Sequence, residues 1–305
     1  MLMKNHTITA LCLLASLLAP LVEAMAVEPT QSDIEYATVD GHHLRLDLYR
    51  PPTKQACPVI VWIHGGAWRA GSKNSVPIRN LVEHGFAIAS VDYRLSPVAR
   101  FPAQAHDIKA AIRFLRANAA EYKLGTRKIV IAGASAGGHL AALVGVTNGV
   151  SELEGGVGQH LGESSAVQGI VSFYGASNLQ TILSQSTPHG LSVRIPALDL
   201  FLGGQPEAEP ERARLASPVV HVDETDPPLL LIHGDQDPQM PINQSHELHA
   251  RYKSFGLPVQ FEVVHGAAHG GKGFYEAEML NRVAEYLSSG TLRFPRPVDE
   301  SLRAM

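Results

Sequence analysis

The sequence has almost no cysteine: Cys12 and Cys57 in 305 residues. Cys12 falls in an apolar N-terminal stretch, which leaves the folded part with one cysteine and no intramolecular disulfide. Stability must then come from a core, and a chain of this length can build one. Cys57 precedes a strand pattern and reads as a small buried apolar residue. Positive charge is not in excess either. The 25 Lys and Arg against 29 Asp and Glu leave a formal net charge of −4. No basic cluster stands out, which argues against nucleic acid as a partner. No apolar run reaches the roughly 20 residues of a spanning helix, so no membrane anchor is expected. Internal repeats, low-complexity tracts and interdomain linkers are also absent from the pattern.

What is present begins with "MLMKNHTITALCLLASLLAPLVEAMA". Lys4, a short apolar run and the small residues around Ala24 and Ala26 read as a cleaved export signal over 1–26. Leu11 before Cys12 does not fit a lipid-anchored cysteine. The expected location is secreted or periplasmic, with one domain over 27–305.

"EYATVDGHHLRLDLYRPP" alternates apolar and polar residues around Asp40-Gly41, the signature of a β-hairpin. The continuous apolar runs "CPVIVWIHGG", "GFAIASVDYR", "KIVIAGAS", "VQGIVSFYG", "PPLLLIHGD" and "VQFEVVHG" read as strands buried on both faces, as in a parallel sheet. Between several of them the spacing is helical, as for Ile108, Ala111, Ile112 and Leu115. Helical patterns also run up to Gly256 and Gly290. The expectation is an α/β fold with a mostly parallel sheet of about eight strands flanked by helices. Two stretches break the rhythm. One is the Gly-rich "NGVSELEGGVGQHLGESSA"; the other is an insertion over 178–226, read as having only short helical pieces and shaping a binding site. The tail "RFPRPVDESLRAM" reads as loosely ordered.

Ser135 stands in Gly133-Ala134-Ser135-Ala136-Gly137, with Gly138 following. A strand enters and a helix leaves, the context of a nucleophile elbow, where flanking residues must be small because helix and strand pass close together. A serine hydroxyl needs a base, and the base an orienting carboxylate. "LLLIHGDQDPQMP" offers Asp235 and Asp237, and "FEVVHGAAHGG" offers His265 and His269. Asp237 and His269 are favoured because they lie farther beyond their strands; Asp235 is expected to order the loop. His265 with His269, and His246 with His249, lack a third nearby protein ligand, so no metal is expected.

A tetrahedral intermediate needs N–H donors for its oxyanion. Ala136 follows the serine, and His64-Gly65-Gly66-Ala67-Trp68 follows an earlier strand, making Gly66 and Ala67 the other candidates. His64 reads as a structural hydrogen-bonder. Trp68 and Tyr174, with Tyr93 and Phe201, are candidate pocket walls, each also readable as core.

"HGGAW", "VDYRLSP", "GASAGGHLAAL", "SPVVHV", "PPLLLIHGDQD" and "HGAAHG", in this order, resemble the α/β-hydrolase superfamily. Within it they are most similar to bacterial carboxylesterases near the hormone-sensitive-lipase-like and feruloyl-esterase-like groups. The resemblance spans about Glu35 to Ser288. It implies an α/β-hydrolase catalytic domain with a small lid, a triad of Ser135, Asp237 and His269, and an oxyanion hole of Gly66, Ala67 and Ala136. It also implies no cofactor. Two departures stand out: Ala67 replaces a third glycine, and Asn178 stands where relatives often have aspartate. The expected activity is serine carboxylic ester hydrolysis on small soluble esters, including acetyl or feruloyl esters of plant polysaccharides. The alternatives are a prolyl-oligopeptidase-like serine peptidase and a non-catalytic hydrolase-fold binding protein. Small Ala134 and Ala136 beside the serine and the absence of a preceding propeller speak against the first; the complete triad speaks against the second.

Overall fold

In the computed structural model, which describes residues 27–289, eight strands form one sheet. The expected signal segment and the C-terminal tail lie outside the described residues. The strands are β1 (Gln31–Val39), β2 (His42–Tyr49), β3 (Cys57–Ile63), β4 (Ala87–Val91), β5 (Leu124–Ala134), β6 (Gly169–Phe173), β7 (Leu229–Gly234) and β8 (Val259–Val264). Their spatial order is β1-β2-β4-β3-β5-β6-β7-β8. The β1–β2 and β2–β4 pairs are antiparallel and all the others are parallel. The hairpin turn has φ of 49° at Asp40 and 80° at Gly41, the left-handed pair that matches strand twist in a two-residue loop.

Alternation along each strand divides the core in two. Val59, Val61 and Ile63 of β3 face one layer with Ile108, Ile112 and Leu115 of helix α1 (Ala103–Ala117) and Leu140 of α2 (Ala136–Gly145). Ile60 and Trp62 face the other. In the chain's two further expected helices, α4 (Asn243–Ser254) packs on the first layer through Leu248 and Tyr252, and α5 (Ala277–Ser289) seals the second through Leu280, Val283 and Leu287.

The insertion differs from expectation. It contains a 15-residue helix, α3 (Pro188–Leu202), rather than only short pieces. Thr187 caps it by accepting the Gly190 N–H at 3.0 Å, and Pro188 occupies the first turn, where a missing N–H costs nothing. Pro196 inside the helix masks the pattern in sequence. Ala197, Leu198, Phe201 and Leu202 are buried and hold the helix against the core. At the insertion's start, Asn178 donates to Glu247 at 2.7 Å, and Gln244 accepts the N–H groups of Ser177 and Asn178. The Asn178 side chain thus ties the insertion to α4.

All the parallel strands end on the edge where Ser135 sits, and the approach there is tight. A Cβ on Gly137 would stand 2.0 Å from the Ile63 carbonyl oxygen, and one on Gly133 2.3 Å from that of Gly137. Gly41 is different: only its positive φ resists a side chain, because nothing lies within 4 Å. Gly137→Ala is therefore expected to cost more than about 3 kcal/mol. Gly41→Ala should cost about 1 kcal/mol. Urea unfolding of both variants checks the order; equal losses would contradict the close crossing.

Candidate active site

Ser135 joins β5 to α2 with φ 55° and ψ −118°, a conformation costly for any residue with a side chain. It is held there by its N–H to the Phe173 carbonyl at 2.9 Å and by its own carbonyl, which accepts the His139 N–H at 2.9 Å. The hydroxyl is thereby lifted over the sheet edge toward the loop after β8.

That loop brings His269 Nε2 to 2.8 Å from Ser135 Oγ, and its Nδ1 lies 2.6 Å from Asp237 Oδ2. A carboxylate only accepts, so Nδ1 carries the proton and Nε2 is free to accept from the serine hydroxyl. Asp237 is fully buried at its side chain. Its Oδ1 accepts the N–H groups of Gln239 and Met240, each at 2.8 Å. Burial pushes its pKa up, but the bonds from His233, His269 and Met240 outweigh that and hold it well below the usual carboxylate range. For His269 burial dominates; it lowers the pKa, and the Asp237 charge offsets only part of the shift.

The rival pair also meets, but elsewhere. His265 Nδ1 is 2.8 Å from Asp235 Oδ2, and Asp235 Oδ1 accepts the Gly266 N–H at 2.7 Å. His265 is 85% exposed at its side chain, so this pair staples the loop in solvent. His246 packs edge-on and His249 at a tilt against Phe261. Among the described residues no group of three His, Cys, Asp or Glu side chains could hold a metal ion.

Sequence reasoning missed His233. It is fully buried, with Nε2 at 3.0 Å from the Met240 carbonyl and 3.3 Å from Asp237 Oδ2. Both are acceptors, so Nε2 bears the proton, while Nδ1 accepts from the Ser245 hydroxyl at 2.7 Å. A histidine four residues before the aspartate, at the end of a buried strand, was the available signal.

The loop after β3 passes beside the serine. Gly66, Ala67 and Trp68 have positive φ (117°, 51° and 59°). Ala67 bears a strain that a glycine would avoid. Among the described residues the N–H groups of Gly66 and Ala67 donate to no protein acceptor. Ala136 opens α2, where no preceding helical carbonyl is available. His64 is buried, with Nδ1 at 2.7 Å from the Gly65 carbonyl and its ring stacked on Tyr93.

Trp68 is not a pocket wall, which corrects the expectation. It is completely buried, stacked on Phe201, and donates from Nε1 to His139 Nδ1 at 3.1 Å. His139 in turn donates to the Ala216 carbonyl at 2.7 Å, tying loop, helix and insertion together. The physical reason is the loop's left-handed backbone, which turns the indole inward. Tyr93 and Phe201 are likewise core. Tyr174 does line the cleft of about 670 Å³ above Ser135, together with Trp62 and Tyr275. Its ring stands edge-on to His269 at 4.8 Å, and its hydroxyl is 2.5 Å from that of Tyr275.

With this geometry in place, a family model described as BD-FAE matches residues 46–252. The chain belongs to the BD-FAE family. It is an α/β-hydrolase of the carboxylesterase branch. It is 32% identical over 232 residues to Esterase LipC of Mycobacterium tuberculosis, covering 74% of this chain and 56% of that protein. The chain spans about half the length of the curated relatives it matches. A truncated form of a carbohydrate esterase from gut microbiota superposes with a TM-score of 0.76 at 34% identity, over 85% of this chain and 94% of that one. A thermophilic esterase of Thermogutta terrifontis with butyrate bound gives 0.69 at 27% identity, over 87% and 95%.

The two Asp–His pairs make a sharp comparison. Asp237→Asn and His269→Ala are expected to lower kcat for ester hydrolysis on the order of 10³- to 10⁴-fold. Asp235→Asn and His265→Ala should stay within about threefold, as surface changes do. Steady-state kinetics on the four variants decides it; a dead His265→Ala would reverse the assignment.

Proposed function

We propose that the protein is an exported serine carboxylesterase that hydrolyses small, water-soluble esters through an acyl-enzyme on Ser135. The observation that carries this reading is the continuous hydrogen-bond chain from Ser135 Oγ through His269 to the buried Asp237, at the floor of an open cleft. In the reaction, Ser135 Oγ attacks the ester carbonyl while its proton passes to His269 Nε2. The N–H groups of Gly66, Ala67 and Ala136 stabilise the oxyanion. The intermediate collapses, the C–O bond to the alcohol breaks, and the leaving oxygen takes the proton from His269. Water then attacks the acyl-serine with His269 as base, releasing the acid and restoring the hydroxyl. Nucleophile, base and oxyanion donors all belong to the chain, so the chemistry asks for no metal or cofactor.

The likeness to proteins named as esterases supports ester over peptide substrates. The likeness to a carbohydrate esterase supports esters carried by carbohydrate, and the sequence motifs suggest acetyl or feruloyl as the acyl group. Export rests on the N-terminal residue pattern. No helix among the described residues is long and apolar enough to cross a membrane.

The pH dependence follows from His269, which must be neutral to accept the serine proton. Its pKa lies below the ordinary value of 6.5 because burial dominates. The activity kcat/KM on a short-chain ester should therefore rise through one ionisation below that value and level off toward about pH 8. Ser135→Ala, which fits a turn built for small side chains, should lose on the order of 10⁴-fold or more while melting like the wild type. An acid limb centred above neutrality, or substantial turnover by purified Ser135→Ala, would contradict the proposal.

A further inference from the structure

The cleft above Ser135 is electrically one-sided. Its lining carries one permanent charge, Arg69, and neither aspartate nor glutamate. Arg69 is exposed on that wall, and among the described residues its guanidinium has no carboxylate partner.

A second arginine lies behind the same wall. Arg194, on the buried face of α3, donates from Nε to the carbonyl of Gln239, a lining residue, in a long contact of 3.5 Å. Its Cζ stands 5.9 Å from the Trp68 ring. The side chain is completely buried, and both Nη1 and Nη2 lack a hydrogen-bond partner. Buried charge is ordinarily paired, because an unpaired ion away from water is among the costlier features a fold can carry. Burial lowers the Arg194 pKa only to about 10, so it stays cationic at neutral pH. Asp237, the carboxylate within reach of its field, accepts its hydrogen bonds from the neutral N–H groups of Gln239, Met240 and His269, so its charge remains and acts on Arg194 through space. In a chain with a net charge of −4, Arg194 and Asp237 thus offset one another behind the wall, and the charge of Arg69 on the wall stands unbalanced.

We propose that this cleft selects esters that carry a carboxylate, with Arg69 meeting the anion at the wall and Arg194, behind Gln239, balancing the negative charge of Asp237 that would otherwise repel it. The inference rests on the ester-hydrolase reading and narrows its substrate class. A concave site lined by charge of one sign focuses such a field on the bound substrate. Arg is suited to the role, because its planar fork matches a carboxylate and its charge does not titrate away.

The test uses two pairs of esters matched in shape and differing in charge. In 4-acetoxybenzoate and 4-acetoxybenzamide the anion sits on the alcohol part. In monomethyl terephthalate and methyl 4-carbamoylbenzoate it sits on the acyl part. The kcat/KM ratio of anion to amide should exceed about fivefold in at least one pair. It should collapse toward unity in Arg69→Met and in about 0.5 M salt, where screening shortens the field. Arg69 is exposed, so Arg69→Met is expected to fold; a matching thermal melt checks this. Ratios near or below one in both pairs would overturn the proposal while leaving the esterase reading intact. So would a preference that survives both Arg69→Met and salt. Turnover of neither member of either pair would overturn both readings together.

Discussion

The crossing of β5 and α2 under the loop that follows β3 is the constraint on which the rest depends. Three backbone segments meet there at distances that exclude even a methyl group: Gly137 against the Ile63 carbonyl, Gly138 against that of Phe173, and Gly65 against that of Ala134. This closeness forces Ser135 into its left-handed turn and lifts the hydroxyl above the sheet edge. It also brings the loop carrying Gly66 and Ala67 beside the serine, so that candidate nucleophile and candidate oxyanion donors are positioned by one packing event. The strain at Ser135, Ala67 and Trp68 is borne by the surrounding core, which buries Trp68 and His139 completely.

Electrostatics then separates two pairs of residues that look alike. Asp235–His265 and Asp237–His269 come from the same two loops and have nearly equal contact distances. Solvent screens the outer pair, so it serves the loop. The inner carboxylate has no exposed surface, and its charge survives because Gln239, Met240, His233 and His269 all point N–H groups at it. A carboxylate held ionised in that way can both orient an imidazole and stabilise its protonated form. Burial acts oppositely on His269, keeping it ready to accept a proton.

Much of this was legible in the sequence because local chemistry and global fold agree there. Asp40-Gly41 marked the hairpin, continuous apolar runs marked the parallel strands, and small residues around Ser135 marked the elbow. Chain order and distance past the strand ends distinguished Asp237 and His269 from their neighbours, and the structure brings those two together with Ser135. Legibility failed where packing, not pattern, decides. The α3 helix hides behind Pro196, since its periodicity is weak and its stability comes from Phe201 and Leu202 in the core. Trp68 sits one residue from the cleft lining, yet the backbone turn at Ala67 sends its ring into the interior. His233 and Arg194 carry no motif. Their importance arises from burial and from the hydrogen bonds they make or lack, which only three dimensions supply.

The central claim is that Ser135, among all the serines of the chain, is the activated nucleophile. Intact-mass analysis after reaction with a serine-directed fluorophosphonate, followed by peptide mapping, tests it most directly. The account predicts one adduct per chain, carried by the peptide containing Ser135 and suppressed in His269→Ala. Absence of an adduct on the folded wild-type protein, or an adduct on any other residue, would contradict it.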